Sequence, residues 1–289
     1  MTLSEKASNS LRVMTLNLWF NPRERQARML VAAELIRRTG TEIVCVQEIP
    51  GEDTANTIEL LAEASGLKIA AISQHDNNDI SNGILCVDPY RTESDIVSGE
   101  SANKSQRYAA AATIRSAHGF DIHVISTHFV WGMDLEHLRL NQAQAIDAEA
   151  RRRWFSPASN GASEPMLTIL CGDMNTLSGH DSMRYLRGEL SAPTNSTLWT
   201  DAHMTSGEGE GYTSTSDNLW ACEVATRHGI TPRLLPQRRI DYVYVHGYAY
   251  GRVLAPLGTY VVNEGTPFPA SDHAAVICDL WDGTGEPVC

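Results

Sequence analysis

Several carboxylates, imidazoles and carboxamides in this 289-residue chain stand at the ends of apolar runs instead of inside them. Asn17 comes late in Val13–Leu18, Glu48 closes Ile43–Glu48, and His128 closes Ile122–His128. Asp173 and Asn175 close Leu167–Asn175, and Ser271-Asp272-His273 precedes the last apolar stretch. A carboxylate is a poor core residue, because burial is tolerated only when it is paired or coordinated. Carboxylates and imidazoles gathered at sheet ends suit hydrolysis of a phosphoester. That reaction needs a cation on the phosphate oxygens, an aligned and deprotonated water, and donors for the growing negative charge.

The donor types favour a hard cation. Magnesium takes oxygen ligands, keeps several waters and uses only one or two protein carboxylates. Glu48, Asp173, Asp241 and Asp272 supply carboxylates, and His128 and His273 supply imidazoles. Asp173 and Asn175 lie two apart, which in an extended segment points both to one side. His118, His123 and His137 lack the H-E-x-x-H spacing of a zinc site. No serine or cysteine stands beside a base as a nucleophile, so water is the expected attacker.

These groups need a scaffold of strands. Leu11–Leu18 alternates as a strand. A helix is expected from Asn21-Pro22 through Arg38, with Pro22 at an early helical position and Gly40 ending it. Glu42–Gln47 reads as a buried strand and Asp53–Ser65 as a helix stopped at Gly66. Further strands are expected at Leu67–Ile72, Gly83–Val87, Arg91–Val97, Arg107–Ile114, Phe120–Thr127, Leu167–Cys171, Ile240–His246, Arg252–Val262 and Ala275–Leu280. Asp134–Phe155 reads as a long helix and Ser182–Leu190 as a short one. Residues 203–238, rich in Gly, Ser, Thr and Pro, read as a long irregular segment. Strand, turn, helix and strand run from Asn17 to Glu48 and again from His128 to Asp173. Two like halves facing each other are therefore expected.

At these positions the sequence resembles the endonuclease/exonuclease/phosphatase superfamily. The matching pieces are Thr15-Leu16-Asn17-Leu18-Trp19, Val46-Gln47-Glu48, Ser126-Thr127-His128-Phe129, Gly172-Asp173-Met174-Asn175, Arg239-Ile240-Asp241-Tyr242-Val243 and Ser271-Asp272-His273. They follow the family's order and span nearly the whole chain. The resemblance implies a four-layer α/β-sandwich, two packed and mostly antiparallel sheets with helices outside. It also implies a magnesium-dependent phosphohydrolase, with manganese as a substitute. By the same resemblance Glu48 is the principal metal ligand, with Asn17 beside it and Asp272 completing the shell. Asp173 aligns or deprotonates the water, and Asn175 holds the phosphate or the water. His273, polarised by Asp241, binds phosphate. His128 resembles a second imidazole that donates to a phosphate oxygen or the leaving group, and Arg107 a phosphate-facing or bracing arginine. Asn82-Gly83-Ile84-Leu85 reverses the first two residues of the family's Gly-Asn-Ala-Ile-Leu strand, and no role is transferred to Asn82.

Other residues admit two readings each. Trp19 and Trp131 either flank the mouth or pack in the interior. Asp173-Met174-Asn175 would also serve as an Asx turn. Asp241 would also pair structurally with Arg239. Arg233, Arg238 and Arg239 flank the irregular segment within reach of a substrate phosphate. Arg151-Arg152-Arg153 ends a long helix, where cations suit the dipole.

Bulk properties narrow the class. Hydrophobic residues make up 42% and charged residues 20%, enough to fill a globular core. A polar tail over 1–10, one catalytic domain over 11–282 and a C-terminal tail over 283–289 are expected. The first residues lack the apolar stretch of a secretory signal, and no apolar run is long enough to span a bilayer. Cys45, Cys86, Cys171 and Cys278 lie in apolar runs without a C-x-x-C pair, so free thiols and a cytoplasmic location are expected. The net charge of −12 disfavours a polyanionic partner without excluding nucleic acid, since a bound cation reverses the local field. Hydrolysis of a phosphodiester in a small molecule or lipid headgroup is thus favoured. A DNA endonuclease, exonuclease or repair phosphodiesterase stands second, and a non-catalytic binding protein that keeps the fold stands third.

Overall fold

The computed structural model describes residues 6, 10–73, 80–92, 96–100, 106–115, 121–155, 166–190, 197–246, 254–262 and 268–281. β1 (Ser10–Asn17) leads into α1 (Arg25–Thr39), followed by β2 (Ile43–Pro50) and α2 (Thr54–Ser65). β3 (Lys68–Ile72), β4 (Ile80–Cys86), β5 (Pro89–Thr92), β6 (Ile96–Glu100), β7 (Gln106–Arg115) and β8 (Asp121–His128) come next. α3 (Glu136–Phe155), β9 (Leu167–Asp173), α4 (Asp181–Leu186), β10 (Trp199–Asp201), α5 (Ala202–Ser206) and α6 (Leu219–Arg227) continue the chain. β11 (Asp241–His246), β12 (Ala255–Val262) and β13 (Ala275–Trp281) complete it.

The strands form two mixed sheets, ordered β12-β13-β1-β2-β4-β3 and β10-β11-β9-β8-β7-β5, with β6 also pairing β7. Most pairs are antiparallel, but β1 with β2 and β8 with β9 are parallel. A parallel pair needs a long crossover, and α1 and α3 supply the two crossovers. The sequence echo is thus real in topology: β1-α1-β2 and β8-α3-β9 are equivalent halves on opposite sheets.

Side-chain alternation sorts the core into layers. Val13, Cys45, Ile84 and Val276 of one sheet pack against Ala112, Val124, Ile169 and Val243 of the other. Met14, Leu16, Val44 and Ile277 face outward onto Met29 and Ile36 of α1 and Ile58 and Leu61 of α2. Ile125, Leu170 and Tyr244 face outward onto Ala143 and Ile146 of α3 and Met183 of α4. The order of layers is therefore helix, sheet, sheet, helix, as in the expected four-layer sandwich.

Two local readings need correction. α1 begins at Arg25, not at Pro22. Of the expected strand Arg91–Val97, β5 contains Arg91 and Thr92 and β6 contains Ile96 and Val97, while 93–95 lie outside the described residues. Residues 203–238 are not wholly irregular, because α6 lies within them, capped by Asn218. That helix carries its own signal, Asn218 before Leu219-Trp220-Ala221 and Val224-Ala225, which the flanking glycines and prolines obscure. Three-residue β10 was not foreseen; so short a strand exists only because β11 is there to pair with it.

Candidate active site

The rows of side chains between the sheets turn polar toward one end. Below that end Thr15 Oγ1 donates to Gln47 Oε1 at 3.2 Å, and Gln47 Nε2 donates to Ser126 Oγ at 3.0 Å. Ser126 Oγ donates to the Val46 carbonyl at 3.0 Å. This chain of fully buried polar groups ties the sheets together and forms the floor of the site. Sequence reasoning passed over it, since Thr, Gln and Ser within strands carry no pattern that separates them from exposed positions.

One position further along each row stand the expected groups. Register places Asn17 beside Gln47, His128 beside Asp173, and Asp241 beside Asp173. Asn17 Nδ2 donates to Glu48 Oε1 and to Asp173 Oδ2, both at 3.0 Å. Its Oδ1 accepts from Trp19 N at 2.8 Å, so the amide presents its nitrogen to the carboxylates. Glu48 Oε2 accepts from Phe20 N at 3.1 Å. His273 Nδ1 lies 2.8 Å from Asp241 Oδ2, while its Nε2 lies 3.9 Å from Asp173 Oδ2. The alternative pairing of Asp241 with Arg239 does not occur. Arg239 forks instead onto Asp201 at 2.8 and 3.0 Å in a buried pair, which also removes it from the expected phosphate-facing cations.

Backbone irregularity aims these groups. Strict alternation would send Glu48 outward with Val46, toward the helices. The β2–β4 register shifts between Val46 and Ile49, and Glu48 adopts φ 57°, which together turn it back toward Asn17. Asn175 at φ 50° and Trp19 at φ 54° share the left-handed conformation, costly for non-glycine residues and concentrated at functional sites. Asp173 and Asn175 do not share an extended segment: β9 ends at Asp173, and Asn175 N donates to Asp173 Oδ1 at 2.8 Å in an Asx turn. The turn and the site coexist. Its two amide hydrogens go to Phe129 O at 3.1 Å and His128 Nε2 at 2.9 Å. In that arrangement His128 accepts at Nε2. Gly172 lets β8 and β9 approach, because a Cβ there would lie 2.0 Å from the Thr127 carbonyl oxygen.

Burial and crowding set the charges. Burial, then the Asp272 carboxylate, push Glu48 up to about 7. Burial and Asp241 raise Asp173, and burial raises Asp272. For His273 burial favours the neutral ring, but Asp241, Asp272 and Asp173 outweigh it and lift it well above the usual imidazole range. Three crowded carboxylates are held above their ordinary values although His273 stands beside them, a condition that a divalent cation would relieve further. Glu48, His128 and Asp173 also fall within metal-ligating distance of one another, as do Asp173, Asp241 and His273.

Arg28, which the sequence did not single out, braces the β1–α1 loop. It is fully buried and donates to the carbonyls of Leu18 at 2.6 Å, Trp19 at 3.0 Å and Asn21 at 2.6 Å. Its guanidinium lies 4.8 Å from the centre of the Trp19 ring. Arg139 does the same for the β8–α3 loop, donating to Val130 O and Gly132 O at 2.9 and 2.6 Å. Asn82 ties β4 to β7 through the Tyr108 carbonyl at 2.9 Å. Arg107 lies on β7, but its side chain falls outside the described residues, as does His118.

The polar groups open into a cavity of about 490 Å³ whose rim is apolar, with Phe20, Ile80, Trp131 and Val224. Trp131 is 68% exposed at the mouth, whereas Trp19 is buried against Trp220 at a centroid distance of 5.4 Å. Trp131 thus flanks the mouth, while Trp19 packs in the interior and also lines the cavity. A larger hollow of about 730 Å³ between α1 and α2 contains none of the site residues.

Residues 14–273 match the Endonuclease/Exonuclease/phosphatase family. The chain belongs to that family. Its members are metal-dependent phosphoester hydrolases, and this family member is an enzyme of that type. No curated protein matched the sequence. Among solved structures the fold is similar to that of an endonuclease/exonuclease/phosphatase from Bacteroides vulgatus, with TM-score 0.66, 18% identity, and 94% of this chain and 99% of that one covered. It is similar to D. rerio TDP2 complexed with single strand DNA product, with TM-score 0.69, 14% identity, and coverage of 94% and 99%. It is also similar to the human Nocturnin catalytic domain with bound sulfate anion, with TM-score 0.64, 16% identity, and coverage of 95% of each chain. No helix among the described residues is long and apolar enough to cross a membrane.

Proposed function

We propose that this family member hydrolyses a phosphodiester in a small molecule or lipid headgroup, by in-line attack of water, with magnesium as the metal and manganese as a substitute. The observation that carries this reading is the crowding of Glu48, Asp173 and Asp272 around one apolar-rimmed cavity, next to a cationic His273. The donor set fits a hard cation, since carboxylate oxygens dominate it. Glu48 and Asp272 would hold the ion, with Asn17 beside them. When bound, magnesium neutralises phosphoryl oxygens and polarises the ester.

The chain's own residues divide the remaining work. Asp173 aligns the water and takes its proton; its raised pKa brings it nearer to neutrality, where a general base is most effective. Asn175 N–H and Asn17 Nδ2 fix its two oxygens. Asp241 occupies Nδ1 of His273 and keeps the ring charged, so Nε2 is the donor toward a phosphoryl oxygen. His128 accepts from Asn175 through Nε2, a bond that substrate would replace, and in the tautomer with its ring proton on Nε2 His128 then donates to a phosphate oxygen or the leaving group. Arg107 would brace the phosphate from β7. No covalent enzyme intermediate forms.

The surroundings favour a compact substrate. Arg23 and Arg227, at the outer flank of α6, both bind Glu223, and Arg25 pairs with Glu52 and Asp53. A long polyanion would find these cations already engaged. DNA remains the second reading, favoured by the fold shared with the TDP2 that was crystallised with a single-strand DNA product. Hydrolysis of bis(4-nitrophenyl) phosphate with magnesium or chelator tests the first claim. Turnover that persists in full chelation, or in Glu48→Ala, contradicts it. A panel of sphingomyelin, inositol phosphates, nucleotide diesters and nicked or abasic DNA tests the substrate class, and a preference for DNA overturns the small-substrate reading.

A further inference from the structure

One wall of the cavity comes from a helix that no catalytic motif contains. Trp220, Val224 and His228 follow one another at four-residue spacing and so share a face of α6 and its C-cap. The face changes character along its length. Trp220 is buried on Trp19, and its Nε1 donates to Pro269 O at 2.7 Å. Val224 and His228 line the cavity together with Phe20 and Trp131. The other flank of the helix is braced outside, where Glu223 binds both Arg227 and Arg23.

The start of this helix is locked to the catalytic turn by one residue. Asn218 Oδ1 caps α6 by accepting from Trp220 N at 2.8 Å and Ala221 N at 3.2 Å. Its Nδ2 donates to Ser271 O at 2.8 Å, immediately before Asp272 and His273. Asn218 is buried, so this joint is not loosened by water. The start of the wall is therefore fixed relative to Asp272 and His273.

We propose, resting on the phosphodiesterase reading above, that α6 is the specificity wall: Val224 packs against an apolar or aryl group on the ester oxygen that is not cleaved, and His228 bonds a polar group about 6 Å further out, one helical turn along. The substrate class is a phosphodiester whose retained alcohol has an apolar body and a hydrogen-bonding far end. Val224 supplies shape without a charge, and His228 supplies a ring nitrogen at the exposed mouth.

The test uses three diesters that release the same 4-nitrophenolate and differ in the retained ester: methyl, phenyl and 4-carboxyphenyl. Wild-type kcat/KM should rise in that order. Val224→Ala should cut the phenyl-to-methyl preference about tenfold, the scale of a lost apolar contact in a pocket. His228→Ala should cut the carboxyphenyl-to-phenyl preference about tenfold, the scale of a hydrogen bond to a charged group. His228→Gln should recover part of it, and each ester is read as a ratio to the methyl ester measured in the same variant. Val224→Leu, which leaves the helix filled, should shift the same phenyl-to-methyl ratio if Val224→Ala loosens the fold. Ratios unchanged in the variants of an active wild type overturn the wall and leave the phosphodiesterase reading standing. A wild type inactive on all three with magnesium overturns both.

Discussion

Asn17 of one sheet donates through Nδ2 to Asp173 of the other at 3.0 Å, and the same nitrogen reaches Glu48. One carboxamide thus spans the sandwich at the point where its apolar interior ends. Asn17→Ala should leave buried Asp173 and half-buried Glu48 each short of a donor and cost about 1–3 kcal/mol in stability. Activity should fall further than stability suggests, because Asp173 loses its alignment. Denaturant unfolding and steady-state kinetics on one preparation check both; full activity at reduced stability would make Asn17 structural only.

Against burial, Asp241, bonded to Nδ1 at 2.8 Å, leads Asp272 and Asp173 in favouring the charged ring of His273. In Asp241→Asn the ring should lose its proton at lower pH, and the alkaline limb of the kcat/KM profile should move toward acid. The stability contribution follows the same sign. A ring held above its unfolded value stabilises most below about 6.5, and this gain is lost as pH rises through the folded value. An unchanged pH–rate profile in Asp241→Asn would count against the pairing.

Glu48 at about 7 predicts a pH-dependent response to metal. Its folded value lies above the ordinary carboxylate value of about 4.5. The folded state therefore binds the proton more tightly, and metal-free stability should fall as pH rises between those values. Magnesium should raise Tm more at pH 8 than at pH 5, because at pH 8 it meets an ionised site without displacing a proton. Equal shifts at both pH values would remove Glu48 from the ion's shell.

Gly172→Ala places a methyl group 2.0 Å from Thr127 O by ideal geometry. β8 and β9 must separate to admit it, and His128 and Asp173 sit side by side at the end of that pair. A loss of about 3 kcal/mol or more is expected, the upper range for overpacking, with activity lost beside it. Thermal unfolding of the purified variant decides; a wild-type Tm would show that the strands can part freely.

Arg239→Ala should behave as a stability variant. It strips the partner from buried Asp201, a change worth about 3–5 kcal/mol. Any protein that remains folded should keep its KM, whereas a phosphate-binding arginine would raise it.

The sequence by itself determined the strands that carry the site and the order of their polar ends. Alternation and β-branched runs mark β1, β2, β8 and β9 locally, and a carboxylate or imidazole at the end of such a run has few structural uses. Glu48, His128, Asp173, Asp272 and His273 were legible for that reason, and the family resemblance added the roles of Asn17, Asn175 and Asp241; the first five and Asn175 line one cavity, with Asn17 and Asp241 bonded to them. Only the tertiary structure decided their partners. Asp241 chose His273 over its near neighbour Arg239, and Arg239 chose Asp201 from a strand too short to mark itself. Glu48 faces the cavity because a bulge against β4 overrides the alternation that its own strand implies. Arg28 is buried because loop carbonyls surround it, and α6 becomes a wall because Asn218 finds Ser271 O. Each of these depends on groups far apart in the chain, and local periodicity records only which face a side chain takes, not which group waits there.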